Sequence, residues 1–207
     1  MIAYHGTVAG GLDTLKPFAN PQSNLFYSCV YLSTCKALAA IYIWKHPFKW
    51  MTFEIPEDGI PLYNESFPGG LAHFYGGVKG YIYTCRGDFQ TDENTTIRHA
   101  VVSRQPVRVE AAEVVEDAYA YILRCEREGL LRIHHFEDLS AEQRNRDRKM
   151  ILGAIRRLDL LKGEHPLSAF VSQTFPELWE EARKESCEES CEGGCEESWQ
   201  TRDPCGC

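Results

Sequence analysis

The sequence of 207 residues lacks any long hydrophobic run. No apolar stretch approaches the roughly 20 residues that a membrane-spanning helix needs. Residues 1–6 also lack the basic and apolar regions that open a secretion signal. Both absences argue against a membrane or secreted protein, so we expect a cytoplasmic protein without membrane contacts.

Positive charge is scarce as well, with 22 basic residues against 30 acidic ones. The acidic excess lies in residues 177–207, which hold ten acidic and three basic side chains, and the remainder is nearly neutral. Binding to a phosphate backbone normally needs a basic face. The overall charge therefore gives no support for a nucleic-acid-binding protein. Hydrophobic residues at 43% and charged residues at 25% are ordinary globular values, and they predict a real core.

The nine cysteines are an odd number, which argues against a fully paired disulfide framework. We interpret the four in the body of the chain, Cys29, Cys35, Cys85 and Cys125, as small buried hydrophobic residues. The other five lie in the last 21 residues: Cys187, Cys191, Cys195, Cys205 and Cys207. They do not form the Cys-x-x-Cys pairs typical of zinc sites, so we expect no metal. An unstructured acidic tail, a soft-metal or redox site and a partner-docking segment remain alternatives.

The chain changes from strand-forming to helix-forming patterns near its middle. We predict an α+β protein with a β-rich core over 1–123, a helical extension packed on this core over 124–176, and an acidic, cysteine-rich, flexible tail over 177–207. The predicted strands cover 1–4, 29–32, 50–55, 80–85 and two segments between 97 and 109. The predicted helices cover 35–45, 116–128, a segment from Ser140 to Gly163, and a last one that begins near Pro176. Ser140-Ala141-Glu142-Gln143 fits a capping box at the start of the third of these helices. Five glycines between 69 and 80 indicate a mobile loop.

The most informative residues lie near the N-terminus. Tyr4-His5-Gly6-Thr7 is a strand end that delivers a histidine into a glycine-containing turn, with a hydroxyl two residues later. A second strand end, Val30-Tyr31-Leu32-Ser33, precedes the early helix, and Tyr42 follows Tyr31 by 11 residues. A neutral imidazole and a hydroxyl can bond to ribose hydroxyls, and two tyrosines can flank a flat ring. Alternatively, the tyrosines are core aromatics and His5 is a structural histidine.

This pattern resembles the NAD-dependent ADP-ribosyltransferases of the His-Tyr-Glu branch, which includes diphtheria-type toxins and poly-ADP-ribose polymerases. The resemblance covers residues 4–42 closely, with Leu-Lys-Pro at 15–17 as a further match, and residues 80–123 loosely, as strand order. It implies a split, mixed and mainly antiparallel β-sheet with the early helix on one face. It also implies NAD as the substrate.

The resemblance implies a role for each N-terminal residue. His5 would bind the nicotinamide ribose, Gly6 would hold the carboxamide through its backbone, and Thr7 would meet a ribose hydroxyl. Tyr31 and Tyr42 would stack against the nicotinamide, at the interval that the family uses.

The family's catalytic glutamate has no counterpart here. The matching stretch, residues 97–103, contains no acidic residue, and His99 or Ala100 stands at the position of the family's glutamate. A neutral imidazole at His99 can act as a base but cannot supply the missing negative charge. Glu93 in the preceding loop is the alternative acid. The candidate catalytic residues are therefore His5, Tyr31, Glu93 and His99.

Three functions follow as hypotheses. The first is a mono-ADP-ribosyltransferase that moves ADP-ribose from NAD to an unknown protein, nucleic-acid or small-molecule acceptor. The second is an inactive NAD-binding or interaction module on the same fold. The third is an unrelated α+β interaction protein. A carboxylate near His5 would favour the first, and an acid-free cleft would favour the second.

Overall fold

The computed structural model describes residues 1–19, 25, 27–48, 50, 53–95 and 97–192, the last six of these as backbone alone. The chain divides into two compact units, Met1–Leu139 and Ser140–Cys207. The first unit combines strands and helices and the second is described as helices. The predicted α+β class is confirmed.

The strands belong to the first unit and form two sheets. They are β1 (Ile2–Thr7), β2 (Thr14–Leu15), β3 (Val30–Ser33), β4 (Phe53–Glu54), β5 (Leu62–Asn64), β6 (Gly80–Arg86), β7 (Ala100–Ser103), β8 (Val107–Val115) and β9 (Arg132–His134). Six of them form a curled antiparallel sheet in the order β2-β8-β6-β1-β3-β7. The other three form a small mixed sheet, β4-β5-β9, in which β5 and β9 run parallel. A mixed, mainly antiparallel arrangement is therefore present.

The first unit contains three α-helices in its described part: α1 (Lys36–Ile41), α2 (Gly70–Tyr75) and α3 (Ala118–Arg127). The early helix is shorter than predicted, because the amides of Tyr42 and Ile43 bond three residues back in a tightened last turn. Helix α3 ends near Gly129, whose φ of 71° suits a residue that terminates a helix. The sequence-based boundary after residue 123 falls inside α3.

Helix α2 occupies the segment for which the glycines predicted a mobile loop. Leu71, Phe74 and Tyr75 are buried on one side of this helix. The buried Glu65 carboxylate accepts the Leu71 N–H at 2.8 Å, which satisfies one of the free amides at the helix start. The loop prediction is wrong here, because buried aromatic contacts outweigh the low helix propensity of glycine.

The larger sheet buries one face in a hydrophobic core. Its members are Ala3, Leu15, Val30, Leu32, Tyr83, Cys85, Phe89, Val101 and Val107. Because side chains alternate along a strand, His5 lies on the same face of β1 as Ala3, and Gly6 lies on the opposite face. Helix α1 covers that opposite face, where Gly6 packs against the backbone of Ala39.

The second unit begins with α4 (Ala141–Arg157) and continues through a 3-10 turn (Leu160–Lys162), α5 (Leu167–Thr174) and α6 (Pro176–Glu192). The predicted capping box is confirmed: the Ser140 hydroxyl accepts the Gln143 N–H at 3.2 Å, and the Gln143 side chain accepts the Ser140 N–H at 2.9 Å. Asp159, with a φ of 50°, separates α4 from the 3-10 turn before Gly163.

Residues 177–192 of the segment assigned to the tail are helical and belong to α6. Two acidic side chains of α6 form ion pairs with α4, Glu181 with Arg148 and Glu185 with Arg156. Residues 193–207 lie outside the described residues, with Cys195, Cys205 and Cys207 among them, and so do the side chains of Cys187 and Cys191. The tail hypotheses about these cysteines stay predictions.

The body cysteines are free thiols, and burial is confirmed for Cys29, Cys85 and Cys125, whereas Cys35 is partly exposed. Burial raises the pKa of Cys85 and of Cys125 to about 11, which keeps both thiols protonated and poorly nucleophilic at neutral pH. Within the described ranges, the helices are all too short or too polar to cross a bilayer.

Candidate functional site

The candidate site lies where β1 meets β3 in the larger sheet. Strand β1 pairs with β6 from Ile2 to Thr7, and its register with β3 pairs Tyr4 with Ser33. His5 follows Tyr4 in β1, and its side chain reaches across to β3. The His5 Nδ1 atom lies 2.8 Å from the Tyr31 carbonyl oxygen. This hydrogen bond joins two residues that are 26 positions apart in the chain.

His5 presents one acceptor nitrogen. Burial lowers the pKa of His5 from its ordinary value of 6.5, although the bond to the Tyr31 carbonyl opposes this shift. The imidazole is therefore neutral at physiological pH. A carbonyl oxygen only accepts, so Nδ1 carries the hydrogen and Nε2 is left as an acceptor for a ligand hydroxyl.

Gly6 and Thr7 complete the end of β1. A Cβ atom at Gly6 would lie 1.8 Å from the Ala39 carbonyl oxygen, so close helix packing already requires glycine here. The Thr7 hydroxyl accepts the Ala9 N–H at 3.2 Å, which leaves its own hydrogen able to donate. Packing alone explains Gly6, and the proposed carboxamide contact of its backbone stays a prediction.

Tyr31 and Tyr42 lie close together and are both partly exposed. Tyr42 directly follows α1, three residues after the carbonyl that touches Gly6. Burial, with a smaller effect from the nearby Tyr31, raises the pKa of Tyr42 to about 12, so its phenol stays neutral. The ring of Phe53 in β4 meets Tyr42 edge-on, with 6.1 Å between centroids. Tyr42 and Phe53 thus form aromatic surface near Tyr31, the residue whose backbone carbonyl contacts His5.

His99 has a structural role in the fold. It has a φ of 71°, its Nδ1 lies 3.1 Å from the Thr34 hydroxyl, and its Nε2 lies 2.9 Å from the Gly59 carbonyl. The carbonyl of His99 also accepts the Thr34 N–H at 2.9 Å. The residue precedes β7, which β3 separates from β1. Both ring nitrogens are thus engaged in holding two turns together, away from the His5 contact.

Glu93 is exposed in the turn from Asp92 to Thr95. The neighbouring Asp92 makes the hydrogen bonds of this turn: its carboxylate accepts one from the Tyr27 hydroxyl and one from the Asn94 N–H. These bonds hold the pKa of Asp92 below its usual range. The structure therefore joins His5, which Gly6 and Thr7 follow in β1, to the Tyr31 backbone, and places Tyr42 near Tyr31. His99 lies in other contacts, and Glu93 is exposed in its turn.

Two aromatic residues of this region, Phe53 and Tyr83, are not among the candidates predicted from the sequence. Tyr83 pairs directly with His5 across β1 and β6. The alternation Tyr81-Ile82-Tyr83 is a sequence signal, because two tyrosines two positions apart share one face of a strand. The strand register that puts this face beside His5 is visible only in the structure.

The described residues hold no group of three or more His, Cys, Asp or Glu side chains arranged to bind a metal ion. Comparisons with protein-family models, with curated proteins and with solved structures find no match to this chain.

Proposed function

We propose that this protein binds NAD at the end of β1 and acts as a mono-ADP-ribosyltransferase. The observation that carries the proposal is the placement of His5, a neutral imidazole that is fixed to β3 by one nitrogen and offers the other to a ligand. An acceptor in this position suits a ribose hydroxyl, which donates one hydrogen bond.

The two tyrosines support the nicotinamide end of the proposal. Tyr31 shares a backbone contact with His5, and Tyr42 lies close to Tyr31. A flat, partly polar ring gains from aromatic side chains on its faces and edges. The distance in sequence between these tyrosines matches the spacing of the family that the N-terminal motifs resemble.

The proposed reaction breaks the bond between nicotinamide nitrogen and the ribose carbon. Nicotinamide leaves with the bonding electron pair, the acceptor nucleophile bonds to the same carbon, and the acceptor's proton passes to solvent. Residues that hold the ribose and the ring in fixed positions lower the barrier by orienting the reacting bond. His5, Thr7 and the two tyrosines would supply this orientation.

A second candidate function is NAD binding without turnover. It is favoured by the stretch at residues 97–103, which has no acidic residue, and by the engagement of both ring nitrogens of His99. A carboxylate near the ribose normally balances the positive charge that develops as the bond breaks. Without such a carboxylate, the protein can bind NAD and still fail to release nicotinamide.

Nicotinamide release at saturating NAD distinguishes the two candidates. The transferase predicts slow release by the wild type that His5→Ala abolishes. Tyr119→Phe, which removes a tyrosine hydroxyl on α3 that no proposed contact uses, serves as the matched control and should release nicotinamide at the wild-type rate. Bound NAD without release would support the second candidate and contradict the transferase.

A further inference from the structure

The segment that follows β1 is fastened to β6 by two tyrosines. The Tyr83 hydroxyl donates to the Ala9 carbonyl at 2.9 Å and accepts the Leu12 N–H at 3.2 Å. Tyr81 and Tyr83 are stacked, with 6.0 Å between ring centroids and 16° between ring planes. We call residues 8–12 the β1–β2 segment. One hydroxyl thus bonds to two residues of this segment, Ala9 and Leu12.

Gly10 lies directly against the second tyrosine. A Cβ atom at Gly10 would come within 2.5 Å of the Tyr81 ring. Gly11 follows with a φ of 72°, and Val8 is 42% exposed. Two adjacent glycines with few side-chain anchors give this backbone large conformational freedom. The tyrosine contacts are what restrict it.

The same tyrosines stand beside the proposed ligand-binding residues. In the antiparallel register, His5 pairs with Tyr83 and Thr7 pairs with Tyr81. Paired residues project to the same face of the sheet. The Thr7 hydroxyl also bonds to Ala9, the residue whose carbonyl Tyr83 holds. The segment is therefore linked to the end of β1 both through the chain and through Thr7.

We infer that Tyr83 is a positioning residue, which holds the β1–β2 segment as a fixed wall on the ribose side of the His5 site. This inference rests on the proposed function. Tyr83 is 1% exposed, so its hydroxyl acts on a ligand through the segment and not by contact. Because the segment is already ordered before the ligand binds, the binding free energy does not include the entropy cost of ordering it.

The test compares NAD affinity and segment order in three variants of the full chain. Tyr83→Phe keeps the ring and removes the fastening hydroxyl. Gly10→Ala leaves that hydroxyl in place and pushes the segment away from Tyr81. Tyr119→Phe is the matched control on α3. Hydrogen exchange of the amides of residues 9–12 reports segment order, and calorimetry reports the dissociation constant for NAD.

Tyr83→Phe is expected to weaken NAD binding about fivefold to tenfold, the size expected from losing one or two net hydrogen bonds. Its segment amides should exchange faster before NAD is added. Nicotinamide release at saturating NAD should change less than the Michaelis constant, because the wall acts on binding. Gly10→Ala should change affinity and exchange in the same direction, and Tyr119→Phe should change neither.

Each contrary outcome has one meaning. Wild-type affinity in both Tyr83→Phe and Gly10→Ala, with His5→Ala impaired, would overturn the positioning role and leave the proposed function standing. Unchanged exchange in the segment would also overturn it, because the hydroxyl would then fasten nothing. Failure of the wild type to bind NAD would overturn the proposed function, and the positioning role with it.

Discussion

At the scale of single residues, the neutral state of His5 links the site to stability. Burial lowers the pKa of His5 below its ordinary value of 6.5, so the unfolded chain takes up a proton that the folded chain resists. The contribution of His5 to stability is therefore full above pH 6.5 and is lost as the pH falls from there toward the lowered pKa.

His5→Asn should flatten this pH dependence. The free energy of unfolding, measured in urea between about pH 8 and about pH 5, should fall less steeply in the variant than in the wild type. Burial also lowers the pKa of His46, which acts with the same sign, so the difference between the two proteins isolates His5. Equal slopes would mean that His5 titrates alike in the folded and unfolded chains.

Tyr42 tests whether the aromatic surface or the hydroxyl matters. Its phenol is held neutral by a pKa of about 12, and its ring contacts Phe53 edge-on. Tyr42→Phe should keep NAD affinity near the wild-type value, whereas Tyr42→Ala should weaken it about tenfold. Calorimetric titration of both variants checks this. Equal affinity in Tyr42→Ala and the wild type would favour the alternative that Tyr42 is a core aromatic.

At the scale of elements, the contact between β1 and α1 depends on one missing side chain. Gly6→Ala would put a Cβ atom 1.8 Å from the Ala39 carbonyl oxygen. This distance is far too short, so β1 and the backbone of α1 would have to move apart. We expect the variant to lose about 1–3 kcal/mol of unfolding free energy in urea.

Gly153→Ala is the control for that substitution. Gly153 lies within α4, and a Cβ atom there would meet no atom within 4 Å outside the neighbouring backbone of its own helix. Alanine should raise the unfolding free energy by about 1 kcal/mol, because it favours a helix interior over glycine. A neutral Gly6→Ala would contradict the close packing of α1 on β1.

Local signals predicted some elements well and failed for others. The Ser140 box predicted the start of α4 because capping depends on residues three positions apart. Helix α2 could not be predicted, because its stability comes from burial of Leu71 and Phe74 and from the distant Glu65 carboxylate. The pairing of Tyr83 with His5 was equally invisible, since strand register depends on residues far apart in the chain.

At the scale of the whole molecule, some of the excess acidic residues near the C-terminus form ion pairs in the structure. The acidic helix α6 pairs two of its glutamates with arginines of α4, inside the second unit. Exposed pairs of this kind contribute only about 0–1 kcal/mol each, so they add little to the stability of the second unit.

The first unit contains the whole candidate site. Short sequence motifs and the family resemblance predicted His5, Gly6, Thr7, Tyr31 and Tyr42, which lie in β1, in β3 and directly after α1. The structure adds the hydrogen bond that fixes the His5 tautomer, which no spacing can show. It also gives His99 a structural role, through contacts with two turns that lie far away in the chain.

Calorimetric titration of NAD into the full chain tests the central claim most directly, with His5→Ala and Tyr119→Phe titrated in parallel. We predict saturable binding by the wild type and by Tyr119→Phe, and loss of that binding in His5→Ala. A wild type that binds no NAD, or a His5→Ala variant that binds it equally well, would contradict the placement of a ribose site at the end of β1.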